Sequence, residues 1–122
     1  MRAVKSKNTA PEIVIRKLIH SQGYRYRLHD QTLHGNPDIV FRKKKKVIFI
    51  HGCFWHGHPC KRGSRIPASN QPYWIQKIEK NKTRDLLHAK LLQEAGWSIL
   101  VIWECELKNL DEIKKEIKTF LG

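Results

Sequence analysis

Acidic side chains are scarce in this chain of 122 residues: eleven aspartates and glutamates stand against twenty-four lysines and arginines, a formal charge of +13. An excess of that size on so short a chain implies a polyanionic partner. Phosphate backbones are the usual one, because lysine and arginine release condensed counterions when they bind. Long apolar runs are missing, and none approaches the ~20 residues of a membrane span. The start, Met1-Arg2-Ala3-Val4-Lys5, lacks the apolar stretch of a secretory signal. No basic amphipathic helix suited to a lipid surface stands out. A cytoplasmic protein without a membrane partner is expected. Cysteine is rare too: three cannot all pair within one chain. In a cytoplasmic protein, cysteines near histidines point to metal more than to disulfides. Internal repeats and a heptad seam are also absent. One domain over residues 1–122, with a basic arm over 1–8 and a monomeric state, is expected.

What is present concentrates at Val47-Ile48-Phe49-Ile50-His51-Gly52-Cys53-Phe54-Trp55-His56-Gly57-His58-Pro59-Cys60. The run opens with β-branched and aromatic residues, which reads as a buried strand. It breaks at Gly52 into a segment carrying histidines, cysteines and two adjacent aromatics.

Around it the chain reads as follows. Thr9-Ala10-Pro11-Glu12 has the form of a capping box, with Thr9 as N-cap and Glu12 three residues on. The helix behind it carries Ile13, Val14, Ile15, Leu18 and Ile19 and stops at Gly23. Tyr24 to Leu28 alternates apolar and basic residues, a half-buried strand. Leu33 to Pro37 is a turn, Asp38 to Phe41 a short strand, and Arg42 to Lys46 a basic hairpin turn. The central strand runs from Val47 to about His51. Residues 61–71 are a polar loop. Pro72 opens a long helix, with Tyr73, Trp74, Ile78, Leu86, Ala89, Leu92 and Ala95 as its apolar side and Gly96 as its end. Trp97 to Trp103 is a second buried strand, and Asn109 caps a last helix through Ile113, Ile117 and Leu121. This order predicts an α/β fold, a mixed β-sheet flanked by helices.

Cys53, His58 and Cys60 cluster, and Cys105 lies at the end of the later strand. If the two strands are neighbours, a Cys3His set suited to tetrahedral structural zinc results. Spacing alone leaves open which of His51, His56 and His58 is the ligand. Histidines without a metal role can act as general base or acid. Asp38 could hold a hard cation such as magnesium.

Gly35-Asn36-Pro37-Asp38, the segment His51 to Cys60, and Trp103-Glu104-Cys105 resemble the very short patch repair (Vsr) mismatch endonucleases. Thr9 to Glu12 and Lys77 to Asp85 also match, so the resemblance covers nearly the whole chain. It implies a restriction-endonuclease-like fold and a magnesium-dependent nick in one DNA strand, 5′ to the thymine of a T:G mismatch left by deamination of 5-methylcytosine. It further implies a bacterial protein working on the nucleoid, with double-stranded DNA as partner and mismatch-repair proteins as further ones. Carried over by position, Asp38 is the magnesium ligand, helped by the backbone carbonyl of Ile50. His51 and His56 are the catalytic histidines, and Glu12 supports the site. Cys53, His58, Cys60 and Cys105 hold the structural zinc. Phe54 and Trp55 wedge into the base stack, Lys77, Asn81 and Asp85 contact the mismatch, and Met1 belongs to the DNA-contacting arm. In the wider nuclease superfamily an acidic residue, a spacer and a lysine follow the Pro-Asp; here that place reads Phe49-Ile50-His51. Two other readings compete: a zinc-stabilised DNA binder without catalysis, which needs none of Asp38, His51 and His56, and a nickase for another lesion or sequence.

Overall fold

The computed structural model describes residues 10–29, 32–53, 60 and 69–122. The expectations for Met1, Thr9, Phe54, Trp55, His56 and His58 lie outside these residues. So do the basic arm and most of the polar loop.

Helix α1 (Ala10–Ser21) comes first, followed by strands β1 (Arg27–Leu28), β2 (Ile39–Phe41) and β3 (Lys46–His51). Helix α2 (Gln71–Glu94), strand β4 (Ser98–Trp103), a 3-10 turn (Glu104–Lys108) and helix α3 (Leu110–Leu121) complete the chain. The sheet is mixed, in the order β1-β2-β3-β4. The first two pairings are antiparallel, and β3 and β4 run parallel from Lys46↔Ser98 to His51↔Trp103. The mixed sheet with three α-helices bears out the expected α/β class.

Side chains alternate across the sheet and divide the core in two. Ile39, Phe41, Ile48 and Ile102 face one side, where Ile15 and Ile19 of α1 and Ile113, Ile117 and Leu121 of α3 cover them. Val40, Val47 and Phe49 face the other, where Leu92 of α2 packs. Fully burying each aliphatic side chain contributes roughly 1.5–3 kcal/mol. Strand β3 has neighbours on both edges and a core on both faces, so its end is well fixed in space.

Four expectations need correcting. The first strand is two residues, not five: only Arg27 and Leu28 pair with β2, opposite Val40 and Ile39. Tyr24 and Tyr26 instead pack edge-on against Phe41, at 6.5 and 6.4 Å between centroids. Lys46 belongs to β3 rather than to the basic turn: its Nζ donates to the Phe120 carbonyl at 2.5 Å. Helix α2 buries only Ile78 and Leu92; Tyr73 is 55% and Leu86 73% exposed. Twenty-four helical residues span about 36 Å, whereas the six residues of β4 span about 20 Å, so the sheet is too short to cover all of α2. Finally, the 3-10 turn after β4 has no counterpart in the sequence pattern. It is tied down by the Glu106 carboxylate, which accepts from the Trp103 N–H at 2.9 Å. Asn109 caps α3 as expected, its Oδ1 accepting from the Glu112 N–H at 3.4 Å.

Candidate active site

Two clusters form near the ends of β3 and β4. The first is built on Asp38, which precedes β2. The antiparallel β2–β3 pairing, Ile39↔Ile48, brings Asp38 alongside the end of β3. Its Oδ2 there accepts the Ile50 N–H at 2.7 Å. This contact uses the Ile50 amide and is separate from the metal-binding role expected of the Ile50 carbonyl. His51 follows directly, its ring edge-on to Trp103 at 5.1 Å and tilted against Phe49 at 5.6 Å.

The turn that delivers Asp38 needs its glycine. Gly35 has φ +78°, and a Cβ there would lie 3.1 Å from the Cβ and Nδ1 of His88 on α2 and 3.2 Å from Phe49. Both the backbone angle and the space favour glycine.

Helix α1 brings in Glu12, which is 2% exposed. Its Oε2 pairs with the Arg16 guanidinium at 2.7 Å and its Oε1 meets His29 Nε2 at 2.7 Å. Glu12, His29 and Asp38 offer ligand atoms within 4.8 Å of one another. Two ionised carboxylates at such a distance repel by roughly 3 kcal/mol at an effective dielectric of about 20. Burial pushes the Asp38 carboxyl up to about 7; the Ile50 N–H opposes this, Glu12 adds to it, and Arg16 relieves part of it. A buried and a half-buried carboxylate side by side, the second hard to ionise, suit a hard divalent cation with oxygen ligands.

The second cluster is thiolic. In the parallel pair His51 lies opposite Trp103, and Cys53 and Cys105 each sit two residues further on. The neighbouring strands expected from the sequence are therefore present. The sulfurs of Cys53, Cys60 and Cys105 lie within 4.8 Å of one another. The Cys105 N–H donates to Cys53 Sγ at 3.4 Å. Burial pushes the Cys53 thiol up to about 12; the Cys105 N–H lowers it, and the Cys60 and Cys105 side chains raise it. Tetrahedral zinc takes sulfurs about 3.8 Å apart, and thiols gathered within 4.8 Å could supply three of its four ligands.

Lys77, Asn81 and Asp85 share one face of α2, as their four-residue spacing requires. Lys77 is exposed, while Asn81 and Asp85 are half-buried. Arg84 donates to Asn81 Oδ1 at 2.5 Å. The structure thus brings Glu12, Asp38 and Ile50 together, gathers the three cysteines, and sets the α2 trio on a separate surface. Sequence reasoning missed His29. It lies seventeen residues from Glu12, and the only sequence signal was a histidine just after an alternating strand and before the Pro-Asp turn.

A family model described as DNA mismatch endonuclease Vsr matches residues 1–62. A type II nicking enzyme of Xanthomonas oryzae is 47% identical over 121 residues, covering 99% of this chain and 88% of that protein. Another, of Neisseria meningitidis, is 46% identical over 125 residues, covering 97% and 89%. The DNA mismatch endonuclease Vsr of Escherichia coli is 40% identical over 119 residues, covering 98% and 76%.

Proposed function

The chain belongs to the DNA mismatch endonuclease Vsr family, and from that premise we propose that it nicks one DNA strand 5′ to the thymine of a T:G mismatch with the help of magnesium. The observation that carries the chemistry is the close pairing of buried Glu12 with half-buried Asp38 at the end of the central strand. A protein that only binds DNA has no use for two carboxylates held this close, one of them hard to ionise. Asp38 would hold the cation, with the Ile50 backbone and the supporting Glu12 beside it. When bound, magnesium supplies a Lewis acid that offsets charge on the phosphodiester and activates water.

The chain's own residues do the rest. His51, fixed at the strand end by Trp103, is placed to carry a proton, and His56 is assigned the same kind of role by the resemblance. The acidic residue that usually follows in related nucleases is replaced by Phe49-Ile50-His51, so proton transfer falls to histidine. Cys53, Cys60 and Cys105, with His58 as fourth ligand, would hold a structural zinc that joins the segment after β3 to the turn after β4. Lys77, Asn81 and Asp85 offer a cation, an amide and a carboxylate along one helix face, a donor and acceptor set able to read a wobble pair. Phe54 and Trp55 would wedge into the mismatched step, and the arm beginning at Met1 would hold the backbone. The hairpin-fed central strand with helices on both faces supports a restriction-endonuclease-like reading of the fold, in which 1–122 act as one unit.

A second reading is a nickase with another sequence or lesion preference. The Xanthomonas and Neisseria relatives favour it, since they are named type II nicking enzymes. One assay separates the two: nicking of end-labelled duplexes with a T:G or a T:A pair in varied contexts, with and without Mg2+. The proposal expects cleavage of the T:G strand only, and only with the cation. Equal cutting of T:A duplexes would move the assignment to the second reading.

A further inference from the structure

We propose that His29 is a positioning residue that fixes the Glu12 carboxylate beside Asp38 and thereby sets the affinity of the site for its divalent cation. The inference rests on the magnesium reading of Asp38. It starts from a conflict in the geometry. Glu12 is almost wholly buried and lies within 4.8 Å of another carboxylate. Where both are ionised, repulsion favours rotation of one side chain away from the other, which would open the two-carboxylate site when no cation is bound. Two donors oppose that rotation. Arg16 takes Oε2 and His29 takes Oε1, both at 2.7 Å. An ionised carboxylate can only accept, so His29 Nε2 carries the proton in this contact. Each Glu12 oxygen keeps a second lone pair, so being held does not prevent it from facing a cation or its water.

Arg16 sits one turn along the same helix as Glu12 and moves with it. His29 does not. It follows β1, and its backbone N–H donates to the Asp38 carbonyl at 3.2 Å. His29 therefore ties the Glu12 side chain to the same segment that carries Asp38. The local backbone suits a histidine here. At His29 φ is +46°, a left-handed conformation in which asparagine, aspartate and histidine are enriched among non-glycine residues. Partners that orient groups around a metal typically change its affinity 10- to 100-fold when removed.

The test uses the full chain and Mn2+ as a spectroscopic stand-in for magnesium, its binding to the protein alone read by electron paramagnetic resonance. His29→Asn tolerates the left-handed backbone but is too short to reach Glu12. His29→Gln restores reach and a donor. The Mn2+ dissociation constant should rise roughly 10- to 100-fold for His29→Asn and return to within a few-fold of wild type for His29→Gln. The Mg2+ concentration for half-maximal nicking should shift in parallel, with the saturated rate falling less. In a Glu12→Gln background His29→Asn should add no further loss. Unchanged Mn2+ affinity in His29→Asn overturns the inference. So do equal losses in both variants that track a lower melting temperature, since these mark a merely structural role. If Asp38→Ala binds Mn2+ as tightly as wild type, the magnesium reading itself fails and takes this inference with it. If Asp38→Ala loses binding while His29→Asn keeps it, this inference alone fails.

Discussion

At Asp38 the raised carboxyl has a consequence for stability. Its value moves from 3.8 to about 7, with burial the largest cause. Ionising Asp38 is therefore harder in the folded, metal-free protein than in the unfolded chain. Between about pH 4 and 7 the folded state binds more protons, so stability is lost as pH rises through that window. Asp38→Asn removes the penalty. It should raise the melting temperature of the protein without added Mg2+, and more at pH 8 than at pH 5. Added Mg2+ should stabilise the wild type more at pH 8 than at pH 5, because the cation competes with the proton. Thermal melts at the two pH values decide it; an equal gain at both would refute the buried-carboxylate account. The same residue shows what a linear reading reaches. Asp38 stands in a recognisable Gly-Asn-Pro-Asp run, and Glu12 in a helix-opening pattern. His29 has neither mark, because its role depends on a contact seventeen residues away and on a single backbone angle.

Among the elements, β3 and β4 were legible from their β-branched runs, and their pairing carries Cys105 to Cys53. The 3-10 turn that orients Cys105 was not legible, since it depends on the Glu106–Trp103 contact rather than on any periodic pattern. If these thiols hold zinc, the metal pins two chain segments together, and its binding energy becomes folding energy. Cys105→Ala should then lose bound zinc and melt at a clearly lower temperature, with nicking by the protein that remains folded affected less. Metal analysis of the wild type should give about one zinc per chain. Folded, active protein without zinc would remove the assignment. In helix α2 the pattern misleads instead. Its apolar residues suggest a buried side, but the helix is longer than the sheet it crosses, and propensity does not report that. On its polar stripe Lys77 is exposed, and Asn81 and Asp85 are half-buried. Asn81→Ala should lower T:G discrimination by roughly 1–3 kcal/mol, the worth of one good base contact, while leaving matched-duplex binding and the melting temperature nearly unchanged. An unaltered ratio of T:G to T:A cleavage would return the stripe to an ordinary solvated helix face.

Over the whole molecule, the charge of +13 is the one property a composition count reveals at once, and it concerns association rather than fold. Among the described residues, Arg42 to Lys45 present exposed basic side chains at the β2–β3 turn. Binding to matched duplex should fall steeply with salt. Six to ten phosphate contacts would cost roughly 10^3- to 10^5-fold in affinity between about 50 and 200 mM. A flat response in a fluorescence-anisotropy titration would mean that the basic surface does not meet the backbone. On the proposed reading, the step from binding to cut depends on the carboxylate site. The most direct measurement is single-turnover nicking of a labelled T:G duplex by Asp38→Ala at saturating Mg2+, with duplex binding measured alongside. The account predicts no nicking above background with binding kept or slightly tightened, because a negative charge has been removed near phosphate. Nicking at the wild-type rate would contradict it.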